Sequence, residues 1–172
     1  MTIIQLNRTI DTWINALSDY NLETLQEKIQ KDSWSLGQVY NHILDDTNYY
    51  IEQIELCLTH NENQLGEMTE FAITLFLKGE FPDIKIKGDS SASKAIPQPS
   101  SKANLINQMI KLKIRLNSIW IEVINGETVG KTKHPGLGYF SAQDWLKFSE
   151  IHMRHHLRQK GRIDDALKRI NL

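Results

Sequence analysis

The sequence predicts an all-α fold, a four-helix bundle with one short accessory helix. Three observations carry this. Four long stretches repeat apolar residues at three- and four-residue steps, the period of an amphipathic helix. Pairs three residues apart, Ser35 with Gln38 and Ser141 with Asp144, stand where two of these stretches begin and match helix-capping pairs. No segment alternates apolar and polar residues convincingly, as a half-buried strand would. The 172 residues are expected to form a single domain, residues 1–172, long enough to bury a core without disulfides.

The first long helix is predicted from Thr2 to Leu17, with Ile3, Leu6, Ile10, Trp13 and Leu17 on one stripe. Ser18-Asp19-Tyr20-Asn21 favours a turn and interrupts it. A short helical turn follows through Leu22 and Leu25. The second long helix begins after Trp34, and Leu36, Val39, Ile43, Thr47, Tyr50 and Ile54 line its inner face. It ends near Thr59 to Gln64. Met68, Phe71, Ala72, Leu75 and Phe76 form the accessory helix, which stops at Gly79. Phe81 to Ser100 holds three of the four prolines. It reads as a long surface connection, because neither side of it could bury a core alone.

The third long helix runs from about Ser101 to Ile124, on a stripe of Leu105, Met109, Leu112, Leu116, Ile119 and Val123. Asn125-Gly126 ends it. A second apolar set, Ile106, Ile110 and Ile114, lies away from that stripe. Either the accessory helix covers this set or a second copy of the chain does, so a homodimer is the expectation with intramolecular cover as the alternative. The fourth long helix starts at Ser141 and continues to about Lys168.

Composition narrows the function classes. Hydrophobic residues make up 40% and charged residues 24%, ordinary for a soluble globular protein. The net charge is −1 and basic residues are scattered, which argues against nucleic acid as a partner and against a polybasic membrane anchor. No apolar stretch approaches the ~20 residues needed to span a membrane. Met1 to Ile10 lacks the basic-then-apolar pattern of a signal peptide. The one cysteine, Cys57, excludes an internal disulfide. A cytoplasmic location is expected.

Chemistry concentrates on the fourth long helix. Trp145, Phe148, His152, His156, Gln159 and Ile163 fall on one side of it, so two histidines stand near the centre of a core-facing stripe. Their i, i+4 spacing puts both rings on one face, about one turn apart. A buried polar group without a partner costs on the order of a few kcal/mol, so something must satisfy these rings. The residues alone leave two readings open. One is a divalent metal, since neutral imidazole is a favoured ligand for zinc, nickel, copper and iron. The other is a pair of core histidines hydrogen-bonded to other side chains.

A third ligand must come from another helix, and His42 is the best candidate, at the edge of the stripe beside Val39 and Ile43. Asp46, one turn on, is a candidate ligand or outer acceptor, while Asp45 points less towards that face. His60 lies at a helix end. His134 lies in a Pro-Gly loop where a turn role is simpler. His155 sits to one side of the stripe.

The phrases Ser33-Trp34-Ser35-Leu36-Gly37-Gln38-Val39-Tyr40-Asn41-His42 and His134-Pro135-Gly136-Leu137-Gly138 resemble those of DinB-like proteins. So does Trp145-Leu146-Lys147-Phe148 leading into His152-Met153-Arg154-His155-His156-Leu157-Arg158-Gln159. The three phrases stand in register across most of the chain. The resemblance implies an up-down-down-up four-helix bundle and a metal held by one histidine of the second long helix and two of the fourth. By position these are His42, His152 and His156. Some relatives of this kind are transferases or isomerases that use low-molecular-weight thiols such as bacillithiol or mycothiol; no residue here specifies such a thiol.

Three neutral histidines leave a metal its full double charge, and three protein ligands leave positions open, the pattern of catalytic sites. The ion expected is a divalent transition metal, zinc or nickel before iron or manganese. Such an ion deprotonates a thiol, and the thiolate is the nucleophile. The expected activity is therefore transfer of a small thiol to an electrophilic small molecule. Activation of water for hydrolysis is the alternative enzyme, and a non-catalytic stress-response or binding protein is the third reading. Asp46, Tyr49, His155 and Gln159 are candidate outer-sphere or acid–base groups, each with ordinary helix-surface polarity as its plainer reading. Cys57 reads as a small buried thiol rather than a nucleophile.

Overall fold

Side-chain caps set where the helices begin. In the computed structural model, which describes residues 1–82, 96–127 and 129–170, α1 (Ile3–Ala16) opens on a capping box between Thr2 and Gln5. A 3₁₀ turn (Leu17–Asp19) and α2 (Leu22–Gln26) follow. The Ser35–Gln38 capping box starts α3 (Leu36–Thr59). Thr69 caps α4 (Glu70–Lys78), which ends at Gly79 with φ at 67°, a left-handed angle that favours glycine. Ser101 caps α5 (Lys102–Asn125). At the head of α6 (Ala142–Ile170) the acidic box is present. The Ser141 amide donates to Asp144 Oδ2 at 3.0 Å, and the Asp144 amide donates to Ser141 Oγ at 3.2 Å.

Cross-helix contacts give the direction of each long helix. Thr9 meets Glu150, Trp13 meets Met153 and Tyr20 meets Asp164, so α1 and α6 run the same way. Asn7 pairs with Asn117 and Asp11 with Lys113, so α5 opposes α1. His42 packs on His156 while Tyr50 packs on Trp145, so α3 opposes α6. The order is up-down-down-up. The middle two helices, α3 and α5, are parallel, which requires the long connection between them to return the chain to the starting end.

The core is aliphatic and aromatic: Leu6, Trp13, Tyr40, Ile43, Leu116 and Trp145 are among its buried members. Among the described residues, one carboxylate is buried in it. Glu150 accepts from Thr9 Oγ1 at 2.8 Å and from Arg154 Nη2 at 2.9 Å, the pairing a buried charge requires. Tyr40 Oη donates to the Trp13 carbonyl at 2.8 Å, and Trp13 Nε1 donates to the Met153 carbonyl at 3.2 Å. These bonds fix the register of three helices around one buried indole.

The structure departs from the sequence reading in two places. Two strands are present, β1 (Lys131–His134) and β2 (Gly138–Ser141), paired antiparallel as a hairpin. Each has four residues, too few for a period-two pattern to register against its surroundings. The isoleucine set on α5 is not covered by α4: Ile106 is half-buried against the core, Ile110 and Ile114 are exposed, and α4 lies against the hairpin and α6 through Phe76 on Phe140 and Phe148. Of the long connection, residues 83–95 lie outside the described residues. Residues 96–98 run beside the start of α3, held by Gln38 Nε2 on the Ile96 carbonyl at 2.7 Å and Asn41 Nδ2 on the Pro97 carbonyl at 2.9 Å. Among the described residues, no helix is long and apolar enough to cross a membrane.

Candidate metal centre

The antiparallel packing of α3 on α6 brings His42 level with His152 and His156. His156 Nε2 lies 3.1 Å from His42 Nε2 and 3.1 Å from His152 Nε2, and one ligand atom from each of the three lies within 4.8 Å of the others. Two nitrogens each ~2.0–2.1 Å from one ion, at an angle between square and tetrahedral, stand roughly 2.8–3.4 Å apart. The two short spacings are compatible with ligands on a common ion, and the third pair lies within 4.8 Å. Among the described residues this is the one cluster of three or more histidine, cysteine or acidic side chains with such geometry.

Proton placement strengthens the fit. His156 Nδ1 is 2.7 Å from Gln159 Oε1, and an amide oxygen only accepts, so Nδ1 carries the proton. The lone pair of His156 Nε2 then faces the other two rings. Asp46 Oδ1 lies 3.5 Å from His42 Nδ1 and draws that ring's proton outward in the same way. A cation at the centre satisfies all the inward lone pairs at once. His152 Nδ1 is buried without a hydrogen-bond partner, a cost that ligation through its other nitrogen offsets.

All three rings are held neutral, the form that ligates metal. Burial, followed by the neighbouring rings of His156 and His42, pushes His152 well below its usual value. Burial, then His42, lowers His156 to about 3. Burial lowers His42 too, against the opposing pull of Asp46 and Asp45. His152 and His156 are each 7% exposed, while the His42 side chain is 18% exposed and that of Asp46 35% exposed. The site thus opens on the α3 side.

The surroundings sort the remaining candidates. Gln159 and Asp46 touch the cluster. Tyr49 instead packs on Tyr50 and Trp145. His155 packs on Phe81 at a tilt and edge-on against the His156 ring, 5.0 Å between centroids, with Arg158 Nη2 3.3 Å from its Nδ1. His134 Nδ1 accepts from the Gly136 amide at 3.1 Å, the expected turn role, and its ring also stacks on Trp145. His60 Nδ1 accepts from the Glu62 amide at 3.2 Å. Cys57 is buried, its Sγ 3.6 Å from the Phe140 carbonyl, and burial pushes its thiol up, away from thiolate.

Two residues near the site were not singled out by sequence reasoning. Trp34 lays its ring against His42, 4.9 Å between centroids. Tyr50 Oη donates to Asp46 Oδ2 at 3.1 Å. Tyr50 belongs to the predicted core stripe, and its i+4 spacing from Asp46 was the available signal. A cleft of ≈ 480 Å³ between α3 and α5, lined by Asn41, Asp45, Gln108 and Lys111, includes none of the three histidines. Convergence of ligand atoms, and not cavity volume, locates the centre.

Comparison with known proteins agrees with this architecture. The sequence profile of the DinB superfamily matches residues 5–159. No curated protein matches the sequence. Among solved structures, the chain is similar to YfiT from Bacillus subtilis, described as a probable metal-dependent hydrolase with an unusual four-helix bundle topology. The TM-score is 0.63 at 15% identity, over 98% of this chain and 85% of that one, a likeness of fold.

Proposed function

This chain belongs to the DinB superfamily, and on that premise we propose that it is a metal-dependent transferase that uses a low-molecular-weight thiol. The observation that carries the proposal is the convergence of three neutral histidine nitrogens on one point that is open on the α3 side. His42, His152 and His156 hold the ion, zinc or nickel before iron or manganese. Bound there, a divalent ion supplies the Lewis acidity that keeps a thiol ionised near neutral pH. Gln159 and Asp46 orient His156 and His42. Trp34 shields the His42 ring from water on one side. The buried rings of Tyr50 and Phe148 pack beside His152 and hold it in place. The partners are a small thiol and an electrophilic small molecule. A cytoplasmic location, where such thiols are kept reduced, fits a chain with a single buried cysteine.

A metal-dependent hydrolase is the second reading, favoured by the description given to YfiT. The same three histidines would serve it, with water in place of the thiol. One set of measurements separates the two. Elemental analysis of protein purified without a histidine tag should find about one transition-metal ion per chain. The loaded protein should then join thiols to a model electrophile such as 1-chloro-2,4-dinitrobenzene, and His156→Ala should not. Turnover of p-nitrophenyl esters without thiol conjugation would favour the hydrolase. Absence of any transition metal, or no uptake on reconstitution, would overturn both.

A further inference from the structure

The cleft between α3 and α5 is separate from the histidine centre, since none of the three histidines lines it. Its volume of ≈ 480 Å³ falls in the range of small-molecule sites. Leu44, Leu105 and Leu112 are buried and form its apolar floor. Pro97 to Ser101 line the end at which both helices begin. That end is anchored: Asn41 Nδ2 donates to the Pro97 carbonyl and Gln26 Nε2 to the Pro99 carbonyl, each at 2.9 Å. Further along, Arg115 donates Nη1 to Asn48 Oδ1 and Nη2 to Glu55 Oε1, each at 3.0 Å. A ligand therefore meets walls that do not have to be ordered on binding.

The two walls carry opposite charge. α3 contributes Asp45, and α5 contributes Lys111 with Arg115 one turn further on. Other cations of α5 have carboxylate partners: Lys113 pairs with Asp11 at 2.6 Å and Arg115 with Glu55. Among the described residues, Asp45 and Lys111 form an ion pair neither with each other nor with a third group. Both side chains are exposed.

We infer that this cleft binds a small zwitterion, its ammonium group on Asp45 and its carboxylate on Lys111 and the remaining N–H groups of Arg115. An anion alone is attracted by Lys111 and repelled by Asp45, and a cation alone meets the reverse. A ligand with both charges is attracted at each wall, while its carbon chain lies on the leucine floor. Asn104 and Gln108, which line the same cleft, offer amide donors and acceptors to its remaining polar atoms. The inference is independent of the metal and its chemistry.

The test uses the full ¹⁵N-labelled chain with zinc present and follows side-chain amide resonances by NMR during titration. The zwitterionic probes are 6-aminohexanoate and 4-aminobutyrate. Hexanoate and hexylammonium carry one charge each, and methyl glucoside carries none. The tighter-binding zwitterion should shift the amides of Asn104 and Gln108 and leave that of Gln159, which lies on His156, in place. It should bind about tenfold more tightly than either singly charged probe, the scale of one charge-assisted contact. Asp45→Asn and Lys111→Met should each reduce that advantage below about twofold. Equal affinity for zwitterions and singly charged probes in the wild type, or an unchanged advantage in either variant, overturns the inference. Shifts at Gln159 without shifts at Asn104 and Gln108 put the ligand at the histidine centre and overturn it too. So does a preference for methyl glucoside, which would make the cleft a polyol site.

Discussion

Gln159 Oε1 stands 2.7 Å from Nδ1 of His156, the residue three places before it on α6. That contact fixes the proton of this proposed ligand on the nitrogen facing away from the other two histidines. Outer-sphere partners of this kind are worth roughly 10–100-fold in metal affinity. Gln159→Leu should therefore weaken zinc binding by about that factor, with little change in the urea midpoint, because Gln159 is not part of the buried core. Calorimetric titration of the stripped protein measures it. Wild-type affinity in Gln159→Leu would show that the His156 tautomer is set elsewhere.

Alanine in place of His42, His152 or His156 should cost more than the ~100-fold upper range of an outer partner, and by similar amounts, since each supplies one bond to the same ion. His155→Ala should stay within about tenfold of wild type. Its ring packs on Phe81 and against His156 but is not one of the three converging residues. The same titration checks all four. Tight binding by His42→Ala would reduce the site to the α6 pair.

The fold should survive removal of the metal. Its core is built from buried aliphatic and aromatic side chains throughout α1, α3, α5 and α6, and a chain of this size needs no metal staple. Helical circular dichroism should be retained after exhaustive chelation at neutral pH, with a lower thermal midpoint as the loss of a ligand of the native state requires. Collapse of the helical signal would make the metal structural.

Acid should destabilise the metal-free protein through buried histidines. Burial lowers His134 to about 4 from an ordinary 6.5. Above 6.5 neither state is protonated, so this residue adds no pH dependence. Between 6.5 and 4 the unfolded chain takes up a proton that the folded chain refuses, so stability falls as pH falls. The three site histidines, also lowered, act in the same direction. Urea midpoints of His134→Gln should therefore decline less steeply than wild type from pH 6.5 to 4.5. Parallel curves would contradict the assignment.

Ile110 and Ile114 are 42% and 65% exposed on α5, and Ile121 and Ile124 continue the apolar surface along the same helix. We propose that this strip joins two copies of the chain, since contiguous exposed apolar surface marks interfaces. Light scattering should give a dimer mass that falls at low concentration, and Ile114→Lys should give a monomer. A concentration-independent monomer mass in the wild type removes the dimer.

Local physics explains what could be read from the linear chain. Caps such as Ser35–Gln38 and Ser141–Asp144 act within one turn. The i, i+4 pair of His152 and His156 on an apolar stripe needs nothing beyond helical periodicity, and Gln159 falls on the same stripe for the same reason. The hairpin escaped because its stability comes from pairing Lys131–His134 with Gly138–Ser141 beneath Trp145, and not from any pattern within four residues. Helix direction did not follow from composition or periodicity either. A long connection permits α5 to run either way, and contacts such as Asn7 with Asn117 and Tyr50 with Trp145 settle it. The same register places His42 Nε2 3.1 Å from His156 Nε2 and swings Asp46 to the edge of the cluster. Those distances depend on how α3 and α6 slide and rotate against each other, a quantity set by the packing of Tyr50, Trp145 and Phe148 between them, which no single helix encodes.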